Sequence, residues 1–145
     1  MICVHDIIAI TGLAVRVSIA YKDTPDAPND YQHISEEVAA LKLLIDRVAP
    51  HFKSNTISRE DYQYGENVLK GCQSVLGGLN SFIEKYHRLA SINNRLVLNR
   101  VKLGKVDIIA LQVQLTSNIV LLNGFIRRCV VYFINAMDIN ISIQL

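Results

Sequence analysis

The sequence has no tryptophan, and only three prolines and seven glycines in 145 residues. So little Pro and Gly excludes a collagen-like or linker-like chain and leaves room for long helices. Charged residues make up only 19%, which excludes a highly charged disordered chain. Three cysteines, Cys3, Cys72 and Cys129, are an odd number at wide spacing. That excludes a disulfide framework and fits a reducing, cytoplasmic setting. The four histidines, His5, His33, His51 and His87, are scattered. No His–His or His–Cys pair has metal-ligand spacing, so no metal and no cofactor is expected. Glycine-rich phosphate loops and nucleophile elbows are missing too, and Gly104-Lys105 lacks the glycine pattern that precedes a Walker lysine. Glu36-Glu37 and Glu60-Asp61 are sequence neighbours that point to different sides of a helix. They read as solvated faces, and the chain is not expected to be an enzyme.

What is present is apolar. Half of the residues are hydrophobic and the mean hydropathy is +0.24. The length suits one domain with a real core, here the single domain 1–145. The organising stretch runs from about Lys105 to Ile134. Apolar residues fall at Ile108, Leu111, Leu115, Ile119, Leu122, Ile126, Cys129 and Phe133. Steps of three and four predict one helix, about 45 Å long, with one dry and one wet face. The fold class expected is all-α: an up-and-down bundle of four to five helices around this long C-terminal helix.

Upstream, residues 2–20 are almost continuously apolar, with His5, Asp6 and Arg16 as interruptions. No base precedes the run, so it does not read as a secretory signal. Arg16 near the middle would cost about 3 kcal/mol in a bilayer. The segment is either a buried helix, apolar on most faces, or a conditional membrane element. Two prolines in 22–30 stop it, with Asp and Asn there to cap the next helix. That helix is expected over 30–52, with Tyr31, Ile34, Val38, Leu41, Ile45, Val48 and Phe52 inside. Pro50 is expected to end or kink it near Ala49. Ser58 followed by Asp61 signals a third helix, 58–90. Its stripe is Val68, Cys72, Val75, Leu79, Phe82 or Ile83, Tyr86 and Leu89, with Gly77-Gly78 marking a close approach or a kink. Residues 91–94 read as a turn, and 95–103 as a short helix ending or bending at Gly104. The tail 135–145 reads as frayed or packed coil; its alternating apolar residues resemble a strand with nothing to pair with.

Charge is uneven. Residues 22–66 sum to −4 and residues 67–128 to +7. Six bases and no acid lie within 85–105: Lys85, Arg88, Arg95, Arg100, Lys102 and Lys105. They either pair with the acidic half of the bundle or meet an anionic partner. The segment has no helix-turn-helix pattern and little aromatic interleaving, so nucleic acid is not the expected partner.

Several segments in this order carry a resemblance. They are the apolar first helix, Ala27–Tyr31, Ile34–Leu44, Gly71–Leu79, Phe82–Tyr86, Arg100–Ile108 and the run Leu111–Leu122. Together they resemble the N-terminal HeLo and HeLo-like domains of fungal STAND (NLR-like) proteins. The resemblance spans about residues 2–130, and the run after Arg128 departs from it. It implies a helical bundle similar in plan to the four-helix domain of the necroptosis executioner pseudokinase. It also implies a cytoplasmic cell-death effector or signalling adaptor that oligomerises with an upstream or downstream receptor and relocates to the plasma membrane. The inserting element would be the first helix, with Ile7, Ile8, Ile10, Leu13 and Val17 entering lipid. The six bases of 85–105 would meet anionic lipid or a partner. The alternative is a non-catalytic interaction or oligomerisation module that never touches lipid. It predicts a first helix locked in the core and an apolar surface patch for self-association.

Overall fold

Apolar residues recurring every three or four positions close into four helices: α1 (Val4–Lys22), α2 (Asn29–Lys53), α3 (Arg59–Ala90) and α4 (Asn94–Gln144). The computed structural model describes residues 4–24, 27–54, 57–90 and 94–144. The side chains of Val4, Leu89, Ala90, 94–106, Tyr132, Ala136 and 138–144 lie outside that description. No strand occurs among the described residues. The chain is therefore the all-α helical bundle that its periodicity predicts.

Short connections make successive helices run up and down. α1 packs on α2 and α3, and α4 packs on α3 and α2. The pairs α1–α4 and α2–α3 face each other across the diagonals. α4 is thus one corner of four rather than a central rod. The core is shared by all four helices, with Ile10, Val17, Ile34, Leu41, Ile45, Leu69, Leu76, Leu115 and Phe125 among its buried members. Aromatic rings close both ends. At one end Tyr31 meets Tyr21, Tyr86 and Phe82 edge to face at 5.1, 5.5 and 6.4 Å. At the other, Phe52 lies 5.2 Å from Tyr62 and 5.5 Å from Phe125. Each such pair contributes about 0.5–1.5 kcal/mol beyond its buried area.

The α3–α4 contact explains three of the glycines. A Cβ on Gly65 would lie 2.5 Å from Phe125, one on Gly71 2.8 Å from Asn118, and one on Gly78 2.7 Å from Leu111. Leu111, Asn118 and Phe125 are seven residues apart, two turns of helix, so one row of α4 presses into a row of gaps on α3. Gly78 marks a close approach, as expected, whereas Gly77 faces open space. The pairing also sets the register. With Asp61 against Arg128, the start of α3 is level with Val130. α2 ends at Lys53, just past Phe52 beside Phe125. Residues 131–144 of α4 therefore run about 21 Å past the ends of both neighbours.

Several expectations are corrected. Pro50 neither ends nor stops α2 at Ala49, because the helix continues to Lys53 and the Ser54 N–H reaches the Pro50 carbonyl at 3.2 Å. The proline removes an N–H bond to the carbonyl of Asp46, which is exposed and open to water. No Asp or Asn caps α2. Its cap is Pro28, without a side-chain bond, and the Tyr31 N–H donates to the Pro28 carbonyl at 3.0 Å. The Ser58 signal holds: the Asp61 N–H donates to Ser58 Oγ, which donates to the Asp61 carboxylate, both at 3.1 Å. Gly104 neither ends nor breaks the helix, and the tail through Gln144 is helix rather than coil. The expected turn lies largely at 91–93, outside the described residues. In α4, Phe125 is fully buried while Ile126 is half-buried and Phe133 is exposed. The overhang explains Phe133, since no neighbouring helix reaches that level.

Candidate functional site

Among the described residues no group of three or more His, Cys, Asp or Glu side chains could hold a metal ion. The two described thiols are inert. Burial pushes Cys72 up to about 12. Burial, helped by the Asp61 carboxylate, pushes Cys129 up to about 11. At neutral pH both remain protonated and poor nucleophiles.

α1 turns Ile7, Ile10, Ala14, Val17 and Tyr21 into the core. Three polar contacts fasten it. Tyr21 Oη donates to the Leu79 carbonyl of α3 at 2.8 Å. Ser18 and Ser35 cross-link α1 and α2 reciprocally: Ser35 Oγ donates to the Ser18 carbonyl at 2.8 Å, and Ser18 Oγ to the Ser35 carbonyl at 3.1 Å. Thr24 Oγ1 donates to the Ala20 carbonyl at 2.6 Å and lies 3.2 Å from His87 Nε2. Burial and the neighbouring Tyr31 raise the Tyr21 phenol well above its ordinary range, so this donor keeps its proton. Of the five residues expected to enter lipid, Ile7, Ile10 and Val17 are buried, Leu13 is half-buried and Ile8 is exposed. The outward face of α1 adds Val15 and Ile19. The first helix is buried on one side and is still apolar on the other, as its sequence predicts.

Arg16, which interrupts the apolar run, lines an open groove of about 670 Å³ between α1 and α3 with Asn80, Glu84, His87 and Arg88. Glu84 also accepts from the Asn80 amide at 3.3 Å. Of the six expected contact bases, Lys85 and Arg88 are exposed in the last turns of α3. Arg95, Arg100, Lys102 and Lys105 fall in the first turns of α4, with side chains outside the described residues. The topology thus sets all six at one end of the bundle. Two further bases, Arg127 and Arg128, lie near the other end. Arg128 is occupied: it donates to Asp61 at 3.3 Å and stacks 4.5 Å above the Tyr64 ring.

An unexpected apolar surface lies on α4. Its supposed wet face exposes Ile109, Val113, Val120, Val130, Ile134 and Met137; Val113 and Val120 are each 64% exposed. The segment Asp107–Asn135 is long and apolar enough to cross a membrane by length and composition, and only 22% of an 18-residue window within it is buried. Attention to the row through Ile108 hides these residues. The same three-four rhythm started one position later, at Ile109, finds them. No protein-family model matches this chain, and no curated protein or solved structure matches it either.

Proposed function

We propose that this chain is a non-catalytic signalling module of the cytoplasm that works by self-association, an effector or adaptor domain of the kind the HeLo-like resemblance implies. The observation that carries this reading is the outward face of α4. Monomeric soluble domains rarely leave a contiguous apolar face uncovered, and such a face marks an interaction site. The fastening of α1 supports the same reading. Each buried Ile, Val or Tyr contributes about 1.5–3 kcal/mol. Withdrawing Ile7, Ile10, Val17 and Tyr21 into water therefore costs on the order of the whole stability of a small domain, about 5–15 kcal/mol. The receptor that such a module would serve is a protein partner upstream or downstream of it.

A second reading keeps the membrane. Asp107–Asn135 has the length and composition of a span, and α1 presents Ile8, Val15 and Ile19 outward. Lipid could replace the core contacts that water cannot, and anionic headgroups would meet the bases at about 1 kcal/mol each. Light scattering over a concentration series, run beside dye release from liposomes with and without anionic lipid, separates the two. A defined oligomer without leakage supports the module. Leakage that requires anionic lipid and disappears with Leu13→Glu, helicity being retained, supports the membrane effector. A strict monomer that releases no dye removes both.

A further inference from the structure

Resting on the self-association reading, we propose that two copies pair through the outward face of α4 as an antiparallel two-helix seam, with Asn123 of each copy set against the partner's Arg127. The inward row of α4 runs through Ile108, Leu111, Leu115, Asn118, Leu122 and Phe125 to Cys129, in steps of three and four. A second row starts one residue later and steps four and three: Ile109, Val113, Thr116, Val120, Asn123, Arg127. It goes on through Val130, Ile134 and Met137, and all nine members are exposed. The sequence keeps the rhythm at Ile141 and Gln144. Each outward residue lies one or two positions after an inward one, which is 100–200° round the helix.

A bundle helix with one set of neighbours needs one apolar row. A second row, with the seven-residue repeat of a coiled coil, is the pattern of a helix with another helix on its far side. Among the described residues nothing covers it. The overhang past Val130 makes the same point, since its described apolar residues Val131, Phe133, Ile134 and Met137 are all exposed.

The polar members choose the occupant. Arg127 and Asn123 sit in the middle of the row. In a bilayer an arginine at mid-span costs about 2.5–3.5 kcal/mol, whereas a helix seam accommodates a few polar residues and uses them to set register and orientation. In a parallel pair Arg127 would meet its own copy, a like-charge contact. In an antiparallel pair the rows interleave, so that Asn123 faces the partner's Arg127 and the Asn carbonyl accepts from the guanidinium. The same register sets Val120 against the partner's Val130, Thr116 against the partner's Ile134, and Val113 against the partner's Met137. The two-fold axis then passes near Phe125. The overhang lies along the first half of the partner's α4, which gives it the cover its own bundle lacks. The seam from Ile109 to Ile141 is about 48 Å long. With its flanking positions it approaches the 20–30 residues a side of a standard interface.

The full chain is tested in two ways. Light scattering on the wild type should give about twice 16.3 kDa. Val120→Lys and Ile134→Lys, both at exposed positions, should each raise the dissociation constant at least tenfold while the variants keep a cooperative melt. In a Cys3→Ser background, Val120→Cys and Val130→Cys chains should stay uncross-linked when oxidised separately and form a disulfide dimer when mixed. A wild type that is monomeric throughout removes the self-association reading and the seam together. An oligomer that survives both lysines removes the seam alone. Cross-linking of either cysteine variant with itself overturns the antiparallel arrangement.

Discussion

At the scale of single residues, glycine shows most directly how neighbours decide an effect. Gly65 and Gly77 stand on the same helix and carry the same intrinsic penalty of about 1 kcal/mol against Ala. A Cβ at Gly77 meets nothing within 4 Å, while one at Gly65 meets Phe125 and Phe52 at 2.5 and 2.8 Å. Gly77→Ala should therefore stabilise the chain by about 0.5–1 kcal/mol, and Gly65→Ala should destabilise it by about 1–3 kcal/mol through overpacking. Thermal or urea unfolding reads both signs. The buried acids give a second prediction at this scale. Cys72, Cys129, Tyr21 and Tyr31 are all raised, chiefly by burial. Above about pH 9 the unfolded chain gives up these protons while the folded chain holds them, so folding becomes less favourable. Their contribution is complete below the ordinary thiol range and is lost as pH climbs through 9 to 12. The melting temperature should fall steadily over that window and stay level between pH 6 and 8.

At the scale of elements, α1 and α4 differ in how much they leave uncovered. α1 supplies Ile10, Val17 and Tyr21 to the core, as the burial alternative for its sequence expects, and is hydrogen-bonded to both of its neighbours. Deleting residues 1–22 should abolish cooperative unfolding rather than leave a silent but folded bundle; circular dichroism across a melt decides it. Tyr21→Phe is a milder probe. It should lower stability by about 1 kcal/mol, the net worth of one hydrogen bond, because the ring still fills its site. α4, by contrast, was the candidate rod of the core, and it is the element with the most uncovered apolar surface. Its full length is helix, from Asn94 across Gly104 to Gln144. A single glycine costs too little to interrupt a helix whose neighbours favour continuity.

At the scale of the molecule, the arrangement of four corners leaves α1 and α4 on a diagonal, each with an outward side. The six bases gather where α3 ends and α4 begins, while the apolar overhang leaves from the opposite end. In the antiparallel seam the partner's overhang reaches the first half of α4, close to the basic end, but the outward row itself contains none of the six bases. Under the membrane reading, replacing Lys85 and Arg88 with Glu should weaken binding to anionic vesicles and leave the oligomer mass by light scattering unchanged. A drop in mass would show that the basic end takes part in self-association.

Helix content, the rows of α2 and α3 and the Ser58 start were legible in the sequence, because an apolar period of 3.6 and a capping serine act locally. Tyr31, Ile34, Val38, Leu41, Ile45 and Val48 are all buried as their spacing requires. The continuation past Pro50 and Gly104 was not legible: the carbonyl that Pro50 leaves unbonded belongs to the exposed Asp46, and one glycine costs only about 1 kcal/mol in a long helix. Nor was the choice of Phe125 over Ile126. A straight helix drifts about 20° per heptad, so over four turns two adjacent rows compete for the same neighbour. The α4 surface shows the limit most clearly. Its sequence by itself determines two apolar rows on opposite sides of one helix. Only the tertiary structure decides that the row through Leu115 and Phe125 is covered by α3 and α2 while the row through Val113 and Ile134 is left open. Periodicity states the angle at which a side chain leaves its helix, and burial depends on what stands opposite.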